Sequence, residues 1–544
     1  MRRFIPLAAA VTALAGLIVA TTAVGVGQPS PTTPAAKTPR WVTHVARYSG
    51  GISGGVRAML ASDQARTGSA GAARARSGSP SGSPGNNVQM NDDSYPPLPQ
   101  NETAVAYKTA HPQVAVAAAN DYVSGGVVVM RTSDGGRSWL SIRITPQFTP
   151  TRDFCNGGDP SVAYSARDGA FYLAQLCFFR ELPHSEVQVY KSTDNGATWN
   201  AGRTAAIAAS NFDYKTGKED DSIFNDKEYI AVDNNPTSPH YGRLYVSYTK
   251  FHMRPNGFSD YCPIQLAYTD DVPSANPALT TFTHVKVVPD ARGDNGVGPS
   301  ANQFSVPVVE NDGTLDLLYA LEECNTSLDH GFRMQKSSDG GNTFRRNPVT
   351  INKSGQWRDN PDLGDLLPNK SFRAPNTPSM AYSPASGKLV VVYQNYINKR
   401  QSGADISYQT STDGGLTWSN TAPLSVAGGA AAPKDQFFPW VAADPAGHFY
   451  AIWLDNRLDP GNHMIQTFQA TSIDNFASFD NSQISTQAWD PDLGFFTSGA
   501  FIGDYSGIAA SSAAVYPVWT DGRDSAIAQT GIGETDIVTN IEVH

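Results

Sequence analysis

Charge is scarce in this chain, since Asp, Glu, Lys and Arg together make up 17% of its 544 residues. Acidic residues outnumber basic ones by 50 to 40, which leaves a formal net charge of −10. Such a chain lacks the basic surface that nucleic acid requires, so we exclude nucleic acid as a main partner. In place of charge there are 48 glycines, 37 prolines and 10% aromatic residues. This composition is typical of turn-rich β structure rather than of helices or disorder.

Long apolar runs are missing after the first residues of the chain. Arg2 and Arg3 precede an apolar stretch from Phe4 to about Val26, which is the pattern of an export signal. We predict a signal peptide over residues 1–27, with an uncleaved membrane anchor as the alternative because ~20 apolar residues can span a bilayer. The protein is therefore expected to be secreted or held at the cell surface, with membrane contact through this segment only.

The next stretch has few residues that can form a core. Residues 28–95 are rich in Ala, Gly, Ser and Pro, and residues 77–85 read SGSPSGSPG. A segment of this composition buries too little apolar surface to offset its ordering entropy. We predict a flexible linker over residues 28–95, followed by one large domain over residues 96–544.

A short phrase is repeated four times in that domain. Each copy has Ser or Thr, then Asp, then Gly-Gly or Asn-Gly, and closes on Trp or Phe. The good copies carry Asp134, Asp194, Asp339 and Asp413, and weaker copies stand near residues 270 and 474. The aspartates are 60 to 76 residues apart, and a repeated phrase at such a spacing predicts a repeat architecture.

The phrase has the chemistry of a tight turn. Gly and Asn adopt positive φ at little steric cost, while the Asp carboxylate and the hydroxyl bond backbone groups inside the turn. The closing aromatic ring can fix the turn to the core. We therefore interpret each of these aspartates as a turn anchor rather than a catalyst.

This spacing resembles the Asp-box, or BNR, repeat of the sialidase-like β-propeller family in its secreted bacterial form. The resemblance covers roughly residues 100–544 and implies an all-β fold of four-stranded antiparallel blades. Between the boxes, seven pairs of strand-like runs follow one another, such as residues 378–382 with 389–393. We predict seven blades, with six as the alternative because known sialidases have six. An N-terminal strand near residues 88–91 is expected to close the ring and remove its free edge.

Cysteines and metal ligands are also few. Cys155 and Cys177 fall in one repeat, and Cys262 and Cys324 in consecutive repeats, so two disulfides are expected in an oxidising compartment. No Cys and His spacing matches a zinc site. No Gly-x-Ser-x-Gly elbow in a strand context, His-Glu-x-x-His or phosphate loop is present. We expect no cofactor, and leave a structural calcium ion open.

The propeller topology separates the two faces of the domain. The boxes join third to fourth strands on one face, whereas first-strand entries and the loops after second strands surround the axis on the other. The first-strand entries carry Glu102, Asp159, Asp226 with Lys227, Gln303, Arg373 with Asn376, Asp435, and Asp504 with Tyr505. A mouth lined with carboxylates, arginines and tyrosines suits an anionic or sugar-like ligand.

The family resemblance implies roles for particular residues. Retaining sialidases hold the substrate carboxylate with three arginines, and use a Tyr nucleophile assisted by a Glu, with an Asp as acid and base. The candidate catalytic residues are Tyr505, Asp504, Glu322 and Asp435, with Glu323 as the alternative to Glu322 for the glutamate that assists Tyr505. Those that match or flank substrate-binding positions are Arg373, Arg457, Arg523, Asp455 and Asp521. Ala374 stands where the family's arginine element has Ile, and this element lies in the fifth module rather than the first.

The resemblance thus predicts a secreted exo-α-sialidase type of glycoside hydrolase, acting on terminal sialic acid or a related acidic sugar at the propeller mouth. The alternative is a non-catalytic propeller that binds glycans or proteins at the cell surface. A different hydrolase or lyase on the same scaffold is a third hypothesis. The expected partner is a glycan or glycoconjugate, and the chain is expected to be a monomer.

Overall fold

The computed structural model describes most of the chain after residue 37. The described residues are 38–62, 87–92, 98–200, 205–291, 295–361, 365–368, 370–397, 403–493, 495–496, 499–524, 533–540 and 542–543. They belong to one unit that begins at Thr38. The predicted signal over residues 1–27 lies outside them. Within these ranges, no helix has the length and apolar character needed to cross a membrane.

Seven four-stranded antiparallel sheets form a β-propeller, which confirms the predicted fold class and blade number. We number the blades 1–7 in chain order; the first strands of successive blades contact one another around the axis. From first to fourth strand, the blades are: blade 1, Gln100–Lys108, His111–Asp121, Gly126–Thr132 and Leu140–Ile144; blade 2, Ser161–Ser165, Ala170–Phe178, Ser185–Ser192 and Ala206–Ser210; blade 3, Ile223–Val232, Leu244–Met253, Ile264–Thr269 and Thr283–Lys286; blade 4, Gln303–Val309, Leu315–Glu322, Asp329–Ser337 and Val349–Thr350; blade 5, Ser379–Tyr382, Leu389–Asn395, Asp405–Ser411 and Ala422–Pro423; blade 6, Gln436–Ala443, Phe449–Asp455, Gln466–Ser472 and Asp480–Gln483; and blade 7, Gly507–Ala510, Ala514–Asp521, Asp536–Asn540 and Asn87–Gln89.

Shorter elements connect or extend the blades. They are the α-helices Arg40–Arg47 (α1) and Gly54–Ala61 (α2), the 3₁₀ helices Pro277–Leu279 and Pro491–Leu493, the strand pairs Phe212–Asp213 with Lys218–Glu219, Val426–Ala427 with Ala430–Ala431 and Phe495–Phe496 with Gly499–Ala500, and the strands Ser259–Tyr261 and Glu542–Val543.

The ring closes through a strand from the N-terminal side of the chain, as predicted. Asn87–Gln89 is the outer strand of blade 7, with Val88 opposite Thr539. The Val88 side chain is 2% exposed. The pairing covers an edge that would otherwise offer unpaired backbone groups to other chains.

The second strands show why these residues pack as blades. Leu389–Asn395 reads LVVVYQN, and every residue in it is buried. A strand covered on both faces has no polar side to alternate with, so its sequence is a nearly continuous apolar run. Each blade is packed between its two neighbours in this way, and the core is distributed around the ring.

The repeated aspartates anchor the turns between third and fourth strands. At Asp413, the Ser411 hydroxyl donates to Oδ1 at 2.7 Å, and the Thr417 amide and hydroxyl donate to Oδ1 and Oδ2 at 2.9 and 2.6 Å. The indole of Trp418 donates to the Gly415 carbonyl at 3.1 Å. Asp134, Asp194 and Asp339 make the same set of side-chain bonds, and so does Asp474 in one of the weak copies.

Part of the predicted linker is folded instead. Helices α1 and α2 lie within residues 28–95, and their large apolar side chains are buried. The Trp41 ring stacks on Phe224 with centroids 5.0 Å apart, and Val56 and Met59 are 1% and 0% exposed. The linker prediction is wrong for residues 40–62, because average composition hides the few side chains that reach the propeller core. Residues 63–86 lie outside the described part.

Both cysteine pairs expected from the sequence are joined in the structure. Cys155 bonds Cys177 with Cα atoms 5.3 Å apart, and Cys262 bonds Cys324 with Cα atoms 5.9 Å apart. The second bridge links the third blade to the fourth, and closes a loop with a sequence separation of 62.

Replacing Asp413 with Ala should lower the free energy of unfolding by about 1 kcal/mol, a low value because the turn is exposed to solvent. Hydrogen bonding from Thr417 lowers the pKa of Asp413 to about 2, below its unfolded value of about 3.9. The difference in the free energy of unfolding between parent and variant should therefore be largest above pH ~4 and disappear as the pH falls towards 2. Urea titration measures it, with the exposed Asp480→Ala as a control that should change nothing. Equal stability of all three proteins at pH 7 would contradict the anchoring role.

Candidate functional site

One position recurs at the start of the first strand in every blade. It stands two residues before regular pairing with the second strand begins, and its occupants are Glu102, Asp159, Lys227, Phe304, Thr377, Phe438 and Tyr505. In blades 1–4 and 6 its φ is positive, between 53° and 59°. Residues other than glycine are strained in this region. Because apolar Phe304 and Phe438 share this conformation, it belongs to the architecture, and the side chains at the position decide its chemistry.

Buried carboxyl groups from four blades meet around the axis at or next to this position, Glu228 among them. We call Glu102, Asp159, Asp226 and Asp504 the axial cluster; all four are 0% exposed. They come from blades 1, 2, 3 and 7, so the closed ring is what brings them together. The Asn120 side chain joins the first two: its Nδ2 donates to Glu102 Oε2 at 2.7 Å, and its Oδ1 accepts from the Asp159 amide at 2.8 Å.

Glu102 and Asp159 perturb each other's ionisation. Burial raises the pKa of Glu102 well above its usual range, and the charges of Asp159 and Asp504 raise it further. Burial also raises the pKa of Asp159, although nearby Lys227 opposes the shift. Ionising both of two neighbouring carboxyl groups in a buried site is unfavourable, so we infer that Glu102 is the member of the pair that keeps a proton.

Arg373 supplies positive charge to the cluster. Its Nε lies 2.8 Å from Asp504 Oδ1, and its Nη2 lies 3.7 Å from Asp365 Oδ2. Burial alone would lower the pKa of Arg373, but Asp504, Asp365 and Glu322 outweigh it and raise the pKa. Arg373 is therefore a permanent cation beside Asp504.

A second acidic group lies on the far side of Arg373. Its members are Glu322, Asp329, Asp359 and Asp365. Burial raises the pKa of Asp359 to about 7 and that of Asp365 to about 6. The Ser327 hydroxyl donates to Glu322 Oε1 at 3.1 Å. Glu322 thus interacts with Arg373, whereas the sequence prediction requires it to assist Tyr505.

Tyr505 also reaches the axis, as predicted, but it is not activated as a nucleophile in this state. Its side chain is 1% exposed and its hydroxyl donates to the Pro160 carbonyl at 3.4 Å. Burial, together with the charges of Glu102 and Asp159, raises the pKa of the phenol well above 10. The Lys227 ammonium lies 3.5 Å from the ring centroid, which is a cation–π contact in a desolvated site.

The other predicted arginines do not reach Arg373. Arg457 and Arg523 each pair with the aspartate two residues earlier in the same blade, Asp455 and Asp521, with Nη2–Oδ2 distances of 2.7 and 2.6 Å. The amide of each arginine also donates to that aspartate. In this Asp-x-Arg arrangement, each guanidinium group pairs with an aspartate at the end of its own strand. Neither guanidinium group is therefore free to bind a ligand. The predicted arginine trio is not assembled.

Asp435, predicted among the catalytic residues, also has a local structural role. Its Oδ1 accepts from the Ala404 amide at 2.9 Å and its Oδ2 from Asn462 Nδ2 at 2.6 Å. Lys370 lies 3.4 Å from the same carboxylate. These bonds hold the loops of blades 5 and 6 together.

The N-terminal helices cover the axial cluster. We call residues 40–62 the mouth segment. At the start of helix α2, the Ser53 amide donates to Asp226 Oδ2 at 2.8 Å and the Gly54 amide to Asp504 Oδ2 at 2.7 Å. The free amides and the positive end of a helix both stabilise negative charge. These contacts complete the burial of the four carboxyl groups.

Glycine is required at this contact. A Cβ atom on Gly55 would lie 2.4 Å from Asp159 Oδ1 and 2.8 Å from Glu102 Oε2, and one on Gly54 would lie 2.3 Å from the Phe501 ring. Sequence reasoning assigned no role to these glycines. The signal was the doubled phrase Ser-Gly-Gly at residues 49–51 and 53–55, which stands beside buried apolar residues rather than in low-complexity sequence.

A group of side chains with metal-ligand spacing and an open cavity are formed by residues outside the axial cluster. In the described part of the chain, His463, Asp490 and Asp492 form a group whose ligand atoms lie within 4.8 Å of one another, whereas the axial cluster forms no such group. A cavity of about 510 Å³ opens at the opposite ends of the first strands, where Val308 and Val441 contribute to its wall. None of the axial carboxylates lines it.

No family model and no curated protein matches this chain. It is similar to a solved protein of unknown function from Dyadobacter fermentans, with 12% identity, a TM-score of 0.44 and coverage of 74% of this chain and 97% of the other. It is similar to a Hadza microbial sialidase, with 13% identity, a TM-score of 0.40 and coverage of 79% and 73%. It is also similar to an α-L-arabinofuranosidase of Fusarium graminearum, with 12% identity, a TM-score of 0.42 and coverage of 68% and 92%. Similarity at this level does not extend to substrate or mechanism.

Replacing Arg373 with Met should cost about 3 kcal/mol of stability at pH 8, because it leaves buried carboxylates without their cation. The pKa of Asp365, about 6 in the parent, should rise further in the variant. The folded variant then binds a proton that the unfolded chain does not, so its stability falls as pH rises. The deficit should therefore be smaller at pH 5 than at pH 8.

Thermal unfolding at the two pH values measures this difference. Arg47→Met, at an exposed position of helix α1, is the matched control and should leave the unfolding temperature unchanged. A deficit for Arg373→Met that is absent, or that does not depend on pH, would show that Arg373 does not hold the carboxylates.

Proposed function

We propose that this protein is a carbohydrate-active propeller that hydrolyses a glycosidic bond at the axial cluster. The observation that carries the proposal is the contact between Glu102, whose pKa is raised well above its usual range, and Asp504, which pairs with Arg373. The Asp504 amide donates to Glu102 Oε1 at 3.0 Å, so the two residues are adjacent. Glycosidases need one carboxylic acid that keeps its proton and one carboxylate that stays ionised. The protein environment gives the two groups different pKa values.

Each residue has a definable part in this reaction. Glu102 would protonate the glycosidic oxygen as the bond to the leaving group breaks, and Asp159 would stabilise the orientation of that proton. Asp504, paired with Arg373, would act on the opposite side as base or nucleophile. Water supplies the hydroxyl group and the proton that complete the hydrolysis.

The charge of the site favours a hydroxyl-rich sugar over an anionic one. Carboxylates bind sugar hydroxyls as acceptors, but they repel a substrate carboxylate, and one arginine already paired with Asp504 gives little compensation. The sialidase form of the proposal rests on Tyr505 and Arg373. It is weakened by the local pairing of Arg457 and Arg523, so sialic acid is the less favoured substrate.

A second candidate is a non-catalytic glycan-binding or protein-binding propeller. One observation favours it: the mouth segment occupies the position that a substrate would take, and the carboxyl groups below it are fully buried. In that reading the cluster stabilises the closed mouth, and the protein acts through its outer surface at the cell surface or after secretion.

Replacing Glu102 with Gln should reduce kcat for hydrolysis about 10²- to 10⁴-fold, because the amide cannot give a proton to the leaving group. The assay uses a panel of fluorogenic glycosides, including arabinosides and an α-sialoside. Since the mouth segment covers the cluster, it is run on the full chain and on the Trp41→Ala variant, each with and without the Glu102 change. If neither protein turns over any glycoside of the panel, hydrolysis is excluded for those sugars. The non-catalytic glycan-binding or protein-binding function is then favoured.

Tyr505→Phe separates the sialidase mechanism from the carboxylate mechanism. A Tyr nucleophile predicts complete loss of α-sialoside turnover on removal of the hydroxyl. The carboxylate mechanism predicts that turnover of a neutral glycoside falls less than tenfold, because the hydroxyl only bonds the Pro160 carbonyl. Loss of all turnover on every glycoside would contradict our assignment of the chemistry to Glu102 and Asp504.

A further inference from the structure

The mouth segment has the features of a ligand held by its own chain. It offers amide N–H groups to the carboxylates of Asp226 and Asp504, and the Gly51 carbonyl accepts from Gln303 Nε2 at 2.9 Å. Sugar hydroxyls would donate and accept at the same atoms. The segment and a glycan therefore compete for one set of hydrogen-bonding groups, and both cannot bind together.

The propeller does not need this segment to close its ring. The strands of all seven blades come from residues 87–540, and the closing strand begins at Asn87, after the mouth segment. Helices α1 and α2 have 8 residues each. Isolated helices shorter than ~12 residues are marginal in water, so this segment takes its shape from the mouth in which it is bound.

Specific contacts hold the segment in place. Outside the axis, Arg40 pairs with Asp221 at 2.7 Å, and the Trp41 ring packs against Phe224 and edge-on against Phe178, whose centroid is 5.3 Å away. The His44 Nδ1 lies 2.9 Å from the Gly257 carbonyl. None of these contacts involves a carboxylate of the axial cluster, so they can be weakened without replacing a candidate catalytic group.

The segment also has an internal clamp that keeps its bound shape. The Arg57 guanidinium donates to the Ile52 carbonyl at 2.9 Å, the Tyr48 carbonyl at 3.0 Å and the Gly50 carbonyl at 2.6 Å. It thereby fixes the loop between the two helices, which carries Gly51 and Ser53 to the mouth.

We propose that the mouth segment is an autoinhibitory element, and that the structure represents the closed state of the protein. Displacement of residues 40–62 exposes Glu102, Asp159, Asp226 and Asp504 to solvent and to a glycan. The consequence for catalysis rests on the proposed function, whereas the masking of the carboxylates does not. The two are therefore tested by separate measurements.

The masking is tested by labelling carboxyl groups on the full-length protein. The protein is treated with a water-soluble carbodiimide and an amine, and modified residues are located by peptide mass spectrometry. In the parent we expect labelling of exposed carboxylates such as Asp480 and protection of the axial cluster. In Trp41→Ala we expect labelling of the axial cluster to rise about tenfold, in the range of typical coupling between sites, with faster amide exchange over residues 40–62.

Two further variants sharpen this test. Gly55→Leu drives a side chain into Asp159 and Glu102, so it should expose the axial cluster more strongly than Trp41→Ala. Ala46→Leu places the same side chain at an exposed position of helix α1. Its carboxyl labelling should match that of the parent. If Gly55→Leu fails to fold, Trp41→Ala still decides the question, and a synthetic peptide of residues 38–62 added to it should restore protection.

The outcomes separate the inference from the proposed function. Exposure of the axial cluster together with new glycoside turnover supports both. Exposure without turnover supports the autoinhibitory segment as a mask and counts against hydrolysis of the panel sugars. If residues 40–62 exchange freely while the axial cluster stays protected, or if the parent is labelled as fast as Trp41→Ala, the inference is overturned.

Discussion

Like charges buried at the propeller axis constrain everything around them. Glu102, Asp159, Asp226 and Asp504 are removed from water, and a buried carboxylate without a partner costs several kcal/mol. The structure meets this cost in three ways: the raised pKa of Glu102 favours its neutral form, Arg373 pairs with Asp504, and the Ser53 and Gly54 amides donate to Asp226 Oδ2 and Asp504 Oδ2. If any one of them is removed, the other groups must shift their protonation or position. That coupling is what makes the axis a site rather than a set of strand ends.

The fold was predictable because its signals are local. A turn such as that of Asp413 is closed by residues within a few positions of one another, so its sequence shows it directly, and its repetition gives the blade number. The entries of the first strands were also predictable in position. What the sequence did not reveal is which charges converge. Arg457 looks equivalent to Arg373 in the sequence, yet it bonds an aspartate two residues away, whereas Arg373 bonds one from blade 7.

The mouth segment was not predicted for a related physical reason. Composition averaged over residues 28–95 indicates disorder, but burial is decided by a few side chains and their partners. Trp41 stacks on Phe224, and Gly55 packs against the carboxyl groups of blades 1 and 2. None of these partners is near in sequence. The same segment brings the clearest functional implication of the structure, since it occupies the mouth with polar backbone groups that resemble those of a bound sugar.

The central claim is that Glu102 carries a proton at neutral pH because of its surroundings. Infrared spectroscopy tests this directly, since the carbonyl stretch of a neutral carboxylic acid is distinct from the bands of a carboxylate and of an amide. In the difference spectrum between the parent and Glu102→Gln at pH 7, we expect loss of one neutral carboxyl band. A difference spectrum that shows loss of a carboxylate band instead would mean that Glu102 is ionised, and would contradict the assignment of the acid.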